Sequence, residues 1–170
     1  MGSALIDPTI IDAAVAATPL VLPVPPDPVG AYARGVVRGG MGFLSGQFPL
    51  VDGVIAYPGR LGEALTTAQG QQAARVAALN ALAQIDALLG RLDDLDGLLR
   101  LDGIIAYVDG FNELPAVLDG ASRLFVEALG DRGRHARAIV PVHRLPMDAP
   151  LELVLTFATR RSARDGLFPG

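Results

Sequence analysis

Apolar residues change their spacing several times along the chain, and each change marks an element. Val76, Leu79, Leu82, Ile85 and Leu89 recur every three or four positions, the period of a helix with one buried face. Thr66 and Gln69 stand where a capping box would open that helix, and Gly90 closes it. A run of about 22 helical residues is roughly 33 Å long, enough to cross a small sheet. A second helical pattern runs over residues 114–129, with Pro115 in its first turn, Gly130 at its end, and Val117, Leu118, Ala121, Leu124, Phe125 and Ala128 on its apolar face.

Strand signals fill the remainder. Residues 34–48 read as strand, Gly39-Gly40 turn and strand, and a short third strand is expected over 54–56. Residues 98–108, with β-branched Ile104, Ile105 and Val108, predict a long strand with a bulge at Gly103. Residues 136–143 and 151–159 complete the order β-β-(β)-α-β-α-β-β. Two long helices on one face of a mixed sheet, an α+β layering, follow from that order. A short helix is expected over 10–17. Six prolines in the first 30 residues (Pro8, Pro19, Pro23, Pro25, Pro26, Pro28) mark an N-terminal arm over residues 1–26. Residues 27–160 form the domain, and 161–170 read as a loose tail.

Composition narrows the chemistry. At 170 residues the chain suits one domain, and 51% hydrophobic against 19% charged residues implies apolar surface covered by further copies. The net charge of −4, with cations scattered from Arg34 to Arg164, argues against nucleic acid as a partner. Every cation is Arg, which removes Schiff-base chemistry and the lysine of a phosphate-binding loop. Without Cys there is no thiolate chemistry, and with only His135 and His143 little remains for a metal site. The apolar run over 13–24 is broken by Pro19 and Pro23 and too short to span a bilayer, so no membrane partner and a cytoplasmic protein are expected.

Candidate chemistry concentrates near the C-terminus. Alternation places Arg137, Ile139, Pro141 and His143 on one strand face and Ala136, Ala138, Val140 and Val142 on the other. The smaller set suits the space beneath the helices, which turns Arg137 away from them. An Arg on an apolar strand needs an anion, from its own chain or from a ligand, and periodicity leaves both readings open. Glu152 opens the last strand opposite the face of Leu151, Leu153, Leu155 and Phe157; a solvated carboxylate is the simpler reading, a water-orienting one the alternative. Ser45 lacks the nucleophile-elbow pattern, and Asn80, near the apolar stripe, is expected to bond backbone.

These residues resemble a known family. Gly30-Ala31-Tyr32, Leu44-Ser45-Gly46-Gln47-Phe48-Pro49, and Ala136-Arg137 followed by Arg144-Leu145-Pro146 and Glu152 are similar to the Rid/YjgF family, the reactive-intermediate deaminases also labelled L-PSP endoribonucleases. Val117-Leu118-Asp119-Gly120-Ala121-Ser122 and Gly133-Arg134-His135-Ala136-Arg137 are closer to its longer branch. The resemblance implies a chorismate-mutase-like subunit in a homotrimer with ligand clefts between subunits. It implies that Arg137 binds a substrate carboxylate, that Glu152 positions water, and that Tyr32, Ser45 and Ile139 line the cleft, Ile139 standing where deaminases commonly carry Cys. The implied reaction is cofactor-free and metal-free hydrolysis of 2-imino acids to 2-oxo acids and ammonia. A non-catalytic trimer that binds small carboxylates, and a biosynthetic enzyme reusing the cleft, are the alternatives.

Overall fold

A computed structural model describes residues 8–17, 21–28 and 30–160. The expected tail over 161–170 lies outside them. The element order is α1 (Pro8–Ala16), β1 (Gly35–Arg38), β2 (Met41–Gln47), β3 (Leu50–Val51), β4 (Val54–Ile55), α2 (Thr67–Leu89), β5 (Leu95–Ala106), α3 (Leu114–Leu129), β6 (Ala136–Val142) and β7 (Leu151–Thr159). Five strands form one sheet in the order β1-β2-β7-β5-β6, and β3 pairs with β4 alone. All pairings in the large sheet are antiparallel except β5 with β6. That parallel pair is joined through α3, the crossover such a connection needs.

Leu151, Leu153, Leu155 and Phe157 of β7, the central strand, are fully buried and alternate with half-buried Glu152, Val154, Thr156 and Ala158. The first set faces α2 and α3, and the second faces away from both helices. Thr66 and Gln69 form the expected capping box, each side chain bonded to the other's backbone amide, which stabilises the helix by about 1 kcal/mol. Asn80 donates to the carbonyls of Phe48 (3.0 Å) and Leu50 (2.9 Å), tying the loop after β2 to α2, the backbone role its position predicted. Arg75 of α2 pairs with Asp12 of α1 at 2.7 Å and with Glu127 of α3 at 3.1 Å. One guanidinium therefore docks the arm helix onto both long helices.

Two expectations differ from the structure. The register shifts of β5 fall between Leu95 and Gly97 and between Leu98 and Arg100, not at Gly103. Gly103 is needed for packing instead: a Cβ there would lie 2.6 Å from the Leu118 side chain of α3. The second difference concerns Arg137. Strand β6 pairs Arg137 with Leu101, Ile139 with Gly103 and Pro141 with Ile105, the positions of β5 that face the helices. Arg137 thus lies on the helix-covered face, and Ala138 and Val140 lie on the open one. Strand β6 is the sheet edge, so α3 covers it only partly and a long polar side chain can reach the helix from below while keeping contact with water. The same edge position accommodates Pro141, which has no amide to donate.

Candidate functional site

The strand register divides the expected site residues between two places. At the sheet edge, Arg137 meets three groups of α3 spaced i, i+4, i+7, which one helix face presents together. Its Nη1 lies 2.7 Å from Asp119 Oδ1 and donates to Ser122 Oγ at 3.1 Å, while Nη2 points to the Pro115 carbonyl at 3.5 Å. Arg137 keeps 30% of its side chain exposed and Asp119 34%. The ion-pair reading left open by periodicity is therefore realised, yet the site is not sealed. Asp119 Oδ2 also lies 3.7 Å from Arg123.

A histidine stands behind this pair. His135 Nδ1 lies 2.6 Å from the Gly133 carbonyl, which can only accept, so Nδ1 carries the proton. Nε2 is then free to accept from the Ser122 hydroxyl at 3.1 Å. The ring packs edge-on against Phe125, centroids 5.7 Å apart. Burial is the main cause that lowers the His135 pKa, and the charge of Arg137 adds to it against the opposing Gly133 bond. The neutral ring turns Ser122 so that its oxygen lone pairs face Arg137. His143 is remote from this network, its ring 3.4 Å from Arg60 Nη1 in a separate polar cleft with Glu63, Arg144 and Asp148.

The second place is the open face where β2 meets β7. The β2–β7 register shifts between Leu44 and Gln47, and the chain leaves the ladder at Ser45-Gly46. Glu152 fills the space this creates: a Cβ on Gly46 would overlap its Oε1. Burial raises the carboxyl's pKa above its ordinary value, and no group among the described residues donates to it. Ser45 Oγ donates to the Ala33 carbonyl at 2.7 Å. Tyr32, half exposed, lines with Ser45, Gly46 and Gln47 a small cavity of about 30 Å³, room for one water. Buried Gln84 also lines it, donating to the Pro26 carbonyl at 2.5 Å, while its own Oε1 has no partner among the described residues.

Tyr32 and Ser45 therefore share one small cavity, Glu152 packs against the Gly46 that also lines it, and Arg137 and Ile139 do not join them. Glu152 sits opposite Ile104 on β5 and Arg137 opposite Leu101, so the two side chains leave opposite faces of the sheet. They are also two strands apart, about 10 Å across the sheet. Asp119 and Ser122 were not singled out as site residues from sequence, although the helical spacing of 115, 119 and 122 would place them together. Gln84 gave no signal, because its cavity exists only once the arm crosses α2. Among the described residues no group of three or more His, Asp or Glu side chains is arranged to hold a metal ion, and no helix is long and apolar enough to cross a membrane.

Residues 12–160 match the family model described as "YjgF/chorismate_mutase-like, putative endoribonuclease". The chain belongs to this family. Protein TCP17 of Trypanosoma cruzi is 37% identical over 133 residues, covering 78% of this chain and 83% of that protein. The crystal structure of Atu1372 from Agrobacterium tumefaciens is 34% identical, covers 89% of this chain and 94% of its own, and superposes with a TM-score of 0.79. Escherichia coli TdcF, solved with bound serine, is more distant at 26% identity and a TM-score of 0.60, over 81% of this YjgF-like chain and 94% of TdcF. The expected fold, two long helices on one face of a mixed sheet, is that of the family.

Proposed function

We propose that the protein hydrolyses reactive 2-imino acids to 2-oxo acids and ammonia, in a cleft that a neighbouring copy completes in a homotrimer. The observation that carries the reading is Glu152. A half-buried carboxylate to which no described residue donates, its affinity for a proton raised by burial, packs against Gly46, and Gly46 lines a small cavity with room for one water. In the proposed reaction water adds to the imine carbon and Glu152 takes its proton. The proton passes to the amine of the carbinolamine, Glu152 takes the hydroxyl proton as the C–N bond breaks, and ammonia leaves with a 2-oxo acid, the last proton passing from Glu152 to solvent. Arg137 holds the substrate carboxylate, which orients the electrophilic carbon and converts a bimolecular encounter into an addition within one complex. Tyr32 and Ser45 form the wall, and Ile139 supplies a backbone amide rather than a thiol.

The division of the site supports its sharing between copies. Glu152 and Arg137 leave opposite faces of one sheet, so a cleft containing both needs one from each of two subunits. The open face exposes Met41, Phe43 and Val140, each more than 40% accessible, which is apolar surface of the kind subunits cover. The test is release of 2-oxo acid when an amino acid oxidase generates imines beside the purified protein. Acceleration is expected, and none with any of several imines overturns the reading.

A second reading, a trimer that binds small carboxylates without turnover, is favoured by the Asp119–Arg137 pair, which already partly satisfies the guanidinium. It predicts thermal stabilisation by 2-oxo acids, lost in Arg137→Ala, with no catalysis. Ribonuclease activity, which the family description carries, finds little support in a chain of net charge −4.

A further inference from the structure

Asp119 changes what the Arg137 corner can recognise. The two side chains form an ion pair at 2.7 Å, and each keeps about a third of its surface accessible, so both signs of charge are offered to a ligand. Asp119 Oδ1 and Ser122 Oγ both lie at Nη1, and among the described residues Nη2 donates to one distant carbonyl. Nε has no acceptor among the described residues. An incoming carboxylate can therefore take the Nε–Nη2 edge while Asp119 stays in place.

We infer that Asp119 is a specificity-determining residue that, with Arg137, selects zwitterions: α-amino or protonated α-imino acids, whose carboxylate meets the guanidinium and whose cationic nitrogen meets Asp119. This deepens the proposed function and rests on its assignment of the ligand carboxylate to Arg137. A ligand with only a negative charge sets its carboxylate beside that of Asp119, and like charges at close range repel. Arg123, 3.7 Å away and 70% exposed, offsets this only in part. A ligand with a cationic nitrogen on the carbon next to its carboxylate instead completes an alternating arrangement of four charges. His135, kept neutral, adds no competing charge behind the pair. One consequence concerns turnover: hydrolysis removes the cationic nitrogen, so the 2-oxo acid product loses the attraction of Asp119 and leaves more readily than the substrate.

Calorimetry on the full chain with alanine of either hand, a stable zwitterion, and with pyruvate, an anion of similar size, separates the outcomes. The native protein is expected to prefer alanine by about tenfold, the scale of one selective charge contact. Asp119→Asn should reverse that preference, weakening alanine and tightening pyruvate. Arg123→Gln, on the exposed side of the helix, should enlarge it. If Asp119→Asn and Arg123→Gln leave the alanine-to-pyruvate ratio unchanged while Arg137→Ala abolishes both bindings, this inference is overturned and the carboxylate reading stands. If neither ligand shows binding that depends on Arg137, both fall.

Discussion

The corner around Arg137 and the face around Glu152 treat charge in opposite ways. Arg137 is supplied with partners by its own chain: a carboxylate, a hydroxyl aligned by a neutral histidine, and a carbonyl. Glu152 is half-buried with no donor among the described residues, and its ionised form is raised in energy by burial. A charge held by several fixed groups is suited to orienting a ligand, because its donors are already aimed. A carboxyl that resists ionisation is suited to taking up and returning a proton. The two are built on opposite faces of one sheet, so holding and reacting can be disturbed separately.

The largest expected effect is at the holding side. Arg137→Ala removes a charged partner and strands Asp119, and should lower deamination by about 2 to 5 kcal/mol, roughly thirtyfold to several thousandfold, measured as kcat/KM on oxidase-generated imines. A loss below tenfold would mean that another group carries the carboxylate. At the reacting side, Glu152→Gln should lower kcat by on the order of a hundredfold while ligand binding survives. It should also stabilise the protein at neutral pH. Folding raises the proton affinity of Glu152, so its contribution is complete below the ordinary value of 4.5 and is lost as pH rises through the higher folded value. The melting temperature of Glu152→Gln should therefore exceed the native one at pH 8 and approach it near pH 4.

A third experiment asks whether the two regions meet only between copies. Arg137→Ala and Glu152→Gln chains, each inactive alone, are co-expressed and assembled together. About a quarter of randomly formed interfaces then carry both native residues, and that share of activity should return. No recovery from assembled mixtures would place both residues of one site in one chain.

The smallest effect concerns His135. Folding lowers its pKa, so its contribution is intact above the ordinary value of 6.5 and is lost as pH falls through the folded value. Ligand affinity should weaken over the same range, because a protonated ring donates to Ser122 and competes with Arg137 for the hydroxyl oxygen. Ser122→Ala should cost about 1 kcal/mol of binding and remove that acid-side dependence. Titration calorimetry across pH checks both, and a pH profile unchanged by the substitution would detach His135 from Arg137.

Much of the fold was legible because its signals are local. The helical period from Val76 to Leu89, the Thr66–Gln69 cap and the alternation along β7 each depend on neighbours a few residues away, and each appears where the pattern predicted. Individual residue chemistry was legible too: an Arg on an apolar strand requires an anion, and Asn80 in a core helix requires carbonyls. Alternation separated Arg137 from Ala138, but the side-chain size that then turned Arg137 away from the helices pointed to the wrong face. The face it takes followed from the parallel register of β6 on β5, a contact between residues about 36 positions apart in sequence, for which no local signal exists. The partnership of Arg137 with Asp119, the relay through Ser122 to His135, and the space Gly46 leaves for Glu152 were likewise decided by tertiary structure. Periodicity specifies how each segment buries its apolar side, whereas the pairing of charges depends on how separate segments are brought together.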